Sequence, residues 1–222
     1  MNDLSNYNYI FLQSKQQIND ISKDKLKQYK DEFMEYINTN KKVRVYSYSL
    51  IGLKCNASVM LWIQSSSIED MQELLTQLMH SALGKYIKIT YTLFGIKRKS
   101  SYEGKGTAET HELPKRERLK YLIIYPFTKT HEWYQLDFDK RKELMHEHIK
   151  TGYKYAHIKQ YLLYAIGIDD HEFIVSYETE SLEDFQNLVM DMRSTKVRMY
   201  TLNDLPIYTC VYKTLDKALD VL

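Results

Sequence analysis

The 222 residues carry 44% apolar and 27% charged side chains and a formal net charge of only +2. That is the make-up of a soluble globular chain, long enough for two packed halves or one large domain. No apolar run reaches the ~20 residues that cross a bilayer, residues 1–15 lack the basic start and apolar stretch of a signal peptide, and the charge gives no overall attraction to nucleic acid. A cytoplasmic protein is expected, with no nucleic-acid and no membrane partner. The two cysteines, Cys55 and Cys210, are too few for a disulfide framework and sit in no zinc-binding spacing. The unusual count is 20 tyrosines.

In chain order, residues 7–12 read as a strand and residues 22–38 as a polar helix. Residues 43–53 and 57–64 are rich in β-branched and aromatic side chains and read as strands. Ser67 starts the next helix, with Glu69 and Asp70 in its first turn and Ile68, Met71, Leu74, Leu75 and Leu78 at helical spacing. Residues 86–94 are again strand-like.

The order then repeats: strand 121–125, helix 139–155, strands 159–166 and 172–178, helix 181–192, strand 205–212. The halves match locally as well. Ser67-Ile-Glu-Asp-Met-Gln-Glu-Leu74 parallels Ser181-Leu-Glu-Asp-Phe-Gln-Asn-Leu188, and Glu35-Tyr-Ile-Asn-Thr39 parallels Glu147-His-Ile-Lys-Thr151. Ile51-Gly52 and Ile166-Gly167 occur at the same junction. Each match is weak alone, but their shared order argues for duplication. The expected fold class is α+β: two ferredoxin-like β-α-β-β-α-β units, residues 1–110 and 111–222, forming a dimeric α+β barrel within one chain. Residues 97–118 join them, a long polar connection that suggests mobility or a role in function.

One difference between the repeats carries chemistry. Tyr36 in the first half aligns with His148 in the second, so one specialised site per chain is expected. Leu144, His148, Gly152 and Tyr155 share one helix face, which turns His148 inward. A satisfied core histidine is the plain role for such a residue; a metal or haem ligand is the sharper one. Gly152, one turn on, costs helix stability and leaves room for either a flat macrocycle or close packing.

The ordered set Tyr125-Pro-Phe-Thr-Lys129, Trp133-Tyr134, Arg141, Met145, His148, Gly152 and Gly167-Ile-Asp-Asp170, with Met192-Arg193 and Asp204-Leu-Pro206, resembles the second domain of chlorite dismutase-like proteins. The resemblance is strong from about residue 121 to 212 and rests on topology in the first half. It implies haem bound in the C-terminal half, none in the N-terminal half, with His148 as proximal iron ligand and Trp133 and Gly152 beside the porphyrin.

Chlorite-degrading members carry a distal arginine and a glutamate near the proximal histidine. Here the distal segment reads Ile158-Lys-Gln-Tyr161, so that Tyr161 (counting from His148) or Gln160 (counting back from Gly167) takes the distal place, and Val197 stands at the glutamate. Tyr125 and Lys129 instead resemble the pair that coproheme decarboxylases use. There the tyrosine becomes a radical in a peroxide-driven reaction and takes hydrogen from a propionate, while the lysine pairs with the carboxylate. The implied function is hydrogen-peroxide-dependent decarboxylation of Fe-coproporphyrin III to protohaem, in a homo-oligomer, a pentamer by resemblance. A haem-dependent peroxidase or chlorite dismutase-like enzyme, and a non-catalytic haem-binding or transfer protein, are the alternatives. A family arginine on the helix is replaced by Tyr153, leaving Arg198, Lys105 and Lys99 as cations for the uncleaved propionates.

Overall fold

The computed structural model describes residues 4–100, 102 and 118–222. They form two compact units, residues 1–97 with 209–222, and residues 98–208. The boundary expected at residue 110, Lys105 and most of the connection lie outside the described residues.

The first unit runs β1 (Asn6–Ser14), α1 (Lys23–Thr39), β2 (Val43–Ser49), β3 (Val59–Ser65), α2 (Ile68–His80) and β4 (Ile87–Ile96). Its strands are antiparallel in the order β4-β1-β3-β2. Ile10 and Leu12 of β1 and Val59, Leu61 and Ile63 of β3 share one sheet face and pack against Phe33 and Ile37 of α1 and Met71, Leu74 and Leu78 of α2. The i, i+2 period of the strands and the i, i+3, i+4 period of α2 create this core.

The second unit runs β5 (Tyr121–Lys129), a short α3 (His131–Gln135), α4 (Phe138–Gly152), β6 (Lys159–Tyr164), β7 (Phe173–Thr179), α5 (Leu182–Arg193) and β8 (Thr201–Asn203). Its antiparallel order is β6-β7-β5-β8. Counted from its own first strand, this is the order of the first unit. The matched motifs have matched jobs. Ser67 Oγ accepts the Asp70 N–H and Ser181 Oγ the Asp184 N–H, each at 3.1 Å, capping α2 and α5. Gly52 and Gly167 both take φ near +75 (75° and 77°), so each Ile-Gly turn needs a residue without Cβ.

Four expectations are corrected. β5 does not stop at Tyr125 but continues through Pro126, paired with Ile174, to Lys129. The helix expected over residues 139–155 ends at Gly152 and tightens into a 3-10 turn at Tyr153–Tyr155. The strand expected over 205–212 starts later, as β9 (Tyr208–Lys213), and a separate short β8 precedes it. Finally, residues 209–222 group with the first unit rather than the second: β9 pairs with β2 through Ser47↔Lys213, and Ala218 and Leu219 of α6 (Leu215–Leu219) are fully buried in the first unit's core. A short apolar tail gives no sequence sign of which core it will join. Among the described residues no helix is long and apolar enough to cross a membrane.

Candidate active site

Strand alternation aligns the candidate residues. Tyr125, Phe127 and Lys129 fall on one face of β5, and the Lys129 Nζ lies 5.8 Å from the Phe127 ring centroid. Across the sheet, Gln160 pairs with Tyr177 and Leu162 with Val175. Tyr125, Phe127, Leu162, Val175 and Tyr177 pack with Tyr155 and with Phe185, Leu188 and Met192 of α5. Gln160, at even spacing from Leu162, belongs to this helix-covered face and is exposed. Tyr161 belongs to the other face. It is buried there, and its hydroxyl donates to Glu178 Oε2 at 2.8 Å, beside Arg118 at 3.5 Å from the same oxygen. Of the two residues open for the distal place, only Gln160 shares a face with Tyr125 and Lys129.

Lys129 ends β5, and its position is held from two sides. Its backbone N–H donates to Glu172 Oε2 at 2.7 Å. Its ammonium lies 4.5 Å from the ring centroid of the buried Trp133. Burial first, and then the nearby Glu172 carboxylate, raise the pKa of the Tyr134 phenol. Burial first, and then the nearby Arg198 cation, bring the Lys129 ammonium down to about 8, with Glu172 opposing. Arg198 donates to Asp204 at 2.8 Å, and Arg193 reaches the same carboxylate oxygen at 3.5 Å. The same three charged residues act on Tyr125, whose phenol burial pushes up.

His148 lies on α4 with its Nδ1 buried and without a hydrogen-bond partner. Burial, reinforced by the Lys129 charge, lowers it to about 4, so it is a neutral imidazole at pH 7. Val197, at the place the resemblance gives to a glutamate, is buried with Trp133 and Leu144. Gly152 is packed tightly: a Cβ there would meet Met192 Cε at 3.0 Å. Arg141 Nε is likewise buried without a partner.

The charge of Lys129 thus acts on His148, and that of Arg198 on both Lys129 and Tyr125. A neutral nitrogen base, two cations and a phenol can together ligate a metal, hold carboxylates and supply a hydrogen atom. Sequence reasoning missed Tyr177 and Glu172. Strand alternation from Tyr177 to Val175 and Phe173 was available, but the register that sets it beside β5 was not.

The family model for chlorite dismutase matches residues 24–213, and the chain belongs to that family. Its relatives include the coproheme decarboxylase of Mycolicibacterium smegmatis, 24% identical over 163 residues, or 73% of this chain and 70% of that one. The coproheme decarboxylase of Staphylococcus carnosus is 29% identical over 160 residues, 66% of this chain and 64% of the relative. Among solved structures, the chlorite dismutase of Candidatus Nitrospira defluvii in complex with imidazole matches with a TM-score of 0.90 at 26% identity, covering 99% of this chain and 95% of that one. The mixed α+β fold with antiparallel sheet is therefore that of chlorite dismutase.

Proposed function

We propose that this chain is an enzyme that binds an iron porphyrin against the helix-covered face of its second unit and removes carboxyl groups from it: Fe-coproporphyrin III, with hydrogen peroxide as oxidant, is converted to protohaem. The observation that carries this reading is that Tyr125 and Lys129 share one strand face and that the Lys129 charge acts on a buried imidazole whose Nδ1 has no partner. The residues fit the group. His148, a buried neutral imidazole with no partner on Nδ1, would hold the iron of a porphyrin. The names of the two curated relatives support the same choice.

When bound, the iron with peroxide supplies the oxidising equivalents. The chain's own residues do the rest. His148, neutral at pH 7, would offer a lone pair to the iron, and with no carboxylate bonded to its Nδ1 that bond would not be strengthened. Lys129 pairs with the reacting propionate, and Arg198 and Arg193 hold others. The Tyr125 phenol gives up its hydrogen atom and then takes one from the propionate β-carbon. For each group lost, one propionate, one peroxide and one proton yield a vinyl group, carbon dioxide and two waters. Gln160, on the sheet side, handles peroxide. Trp133 holds Lys129 in place, and Gly152 keeps the α4 face flat.

The finer points of architecture follow the same resemblance: ferredoxin-like units closed into one barrel, a ring-like pentamer, and a cytoplasmic location. Mixing the protein with iron coproporphyrin III and peroxide tests the function. Stepwise loss of two carboxyl groups by mass supports it. Oxygen release from chlorite would mark a chlorite-degrading enzyme instead, and stable binding of unchanged porphyrin a carrier.

A further inference from the structure

Arg193 and Arg198 are tied to one carboxylate. Arg193 is the last residue of α5, and Arg198 lies in the 3-10 turn Lys196–Tyr200. The Arg198 guanidinium lies 2.8 Å, and that of Arg193 3.5 Å, from the same Asp204 oxygen, Oδ2. Asp204 itself directly follows β8, which is joined to β5 at Thr128↔Asn203 and Lys129↔Thr201. Asn203 Oδ1 accepts the Leu205 N–H at 3.2 Å and so braces the backbone on either side of Asp204. The carboxylate is therefore carried by the strand next to that of Tyr125 and Lys129, whereas the two cations reach it on long side chains from other elements.

Stability does not explain this arrangement. The Asp204 side chain is 20% exposed, that of Arg198 30% and that of Arg193 53%, and ion pairs so open to water contribute little to folding. Attraction of a ligand by charge does not explain it either, because a porphyrin carboxylate would be drawn more strongly to two arginines without a carboxylate between them. What Asp204 supplies is geometry. Two guanidiniums repel each other, and a shared oxygen holds them together. Each carries five N–H donors, and Asp204 Oδ2 draws on one nitrogen of each, Nη1 of Arg198 and Nη2 of Arg193. The remaining donors sit on two groups kept beside each other, a layout that suits the two oxygens of one further carboxylate.

We propose that Asp204 is a positioning residue: it gathers Arg193 and Arg198 into a fork for one porphyrin propionate and fixes that fork to the strand beside Tyr125 and Lys129. This rests on the proposed function, in which the two arginines hold propionates other than the reacting one. Asp204 touches no substrate, and no bond changes at it. Two guanidiniums against one carboxylate leave one positive charge in excess, which matches a single propionate. The role is therefore one of specificity. A porphyrin with a carboxylate at that part of its rim is held by the fork, and one without it gains nothing.

The affinity of the full chain for metal-free coproporphyrin III, followed by quenching of protein fluorescence, tests this, because charge and positioning predict opposite signs. Asp204→Asn takes a negative charge away from an anion site, yet it should weaken binding about tenfold, the lower end of what a charge-assisted hydrogen bond is worth. Asp204→Glu keeps the carboxylate and should recover most of that loss. With Arg198→Met already in place the fork is broken, so Asp204→Asn should then cost no more than about twofold. In turnover with iron coproporphyrin III and peroxide, Asp204→Asn should raise KM and leave kcat within about twofold, since only uniform binding is lost. Unchanged or tighter binding by Asp204→Asn overturns the proposal and leaves the function standing. So does a full loss from Asp204→Asn in the Arg198→Met chain, which would mean an effect that does not pass through the arginines. A native chain that fails to bind the porphyrin at all overturns the function, and the fork with it.

Discussion

The two units share a strand order and a pair of capped helices, but their sheet faces do opposite things. In the first, the helix-covered face is aliphatic and closed, from Ile10 and Leu12 to Leu61 and Ile63. In the second, the same face carries Tyr125, Tyr177, Phe127 and Gln160, and a much smaller buried cluster stands behind them. The helices show the contrast at one aligned position. Tyr36 points its hydroxyl to Glu32, one turn back, at 3.2 Å. His148 turns inward and leaves Nδ1 buried without a partner. One copy is built for stability, and the other gives up burial and satisfied polar groups where a ligand can use them.

The largest expected contrast is in stability. Leu61→Ala, in the closed core, should cost about 4–5 kcal/mol, and Leu188→Ala, in the open one, nearer 2–3 kcal/mol. Urea unfolding of porphyrin-free protein measures both. Equal costs would mean that the second core is as tightly packed as the first.

Carboxylate binding should sharpen the contrast by one or two powers of ten. The Lys129 ammonium titrates at about 8, so it is charged below that pH and neutral above it. Affinity for metal-free coproporphyrin III should therefore fall as pH rises through 8, by roughly ten- to a hundredfold if the charge-assisted bond is lost. Lys129→Met should bind weakly at every pH. Isothermal titration across pH 6–10 decides between a step and a flat line.

His148→Leu should stabilise the porphyrin-free protein by about 1 kcal/mol, because it removes a buried polar nitrogen that nothing satisfies. The pH dependence gives a second handle. His148 stays neutral in the folded chain down to about pH 4, whereas an unfolded histidine takes up a proton near 6.5. The unfolded state thus binds more protons between these values, and stability falls as pH drops through that window. His148→Leu should flatten that part of the profile. The smallest effect belongs to Tyr36→Phe and Gln160→Ala, within about 0.5 kcal/mol, as for exposed or rim positions generally. Tyr161→Phe should cost more, since it takes a donor from a buried carboxylate.

Much of this contrast is written in the chain. Repeated strand and helix periods give the element order of both units, and Ser67 and Ser181 announce their helix starts through a capping serine and first-turn acids. His148 stands out because its partner in the repeat is Tyr36. Other features depend on register and tertiary choice. Pro126 reads locally as a strand end, yet β5 runs through it and thereby sets Lys129 on the face of Tyr125. Gln160 and Tyr161 could not be separated by counting, because a single residue of register exchanges the two faces. Tyr177 comes beside Tyr125 only through the β5–β7 pairing, and residues 209–222 join the first core through β9, with no local signal.

The central claim is that the second unit, and not the first, is the iron-porphyrin site, with His148 as the ligand. Titrating iron coproporphyrin III into the native chain, His148→Ala and Tyr36→Ala, and recording the iron–histidine stretch of the reduced complexes by resonance Raman, tests it directly. The stretch should be present, at the low frequency of an imidazole with no carboxylate partner, in the native chain and in Tyr36→Ala, and absent from His148→Ala. An unchanged stretch in His148→Ala would contradict the account.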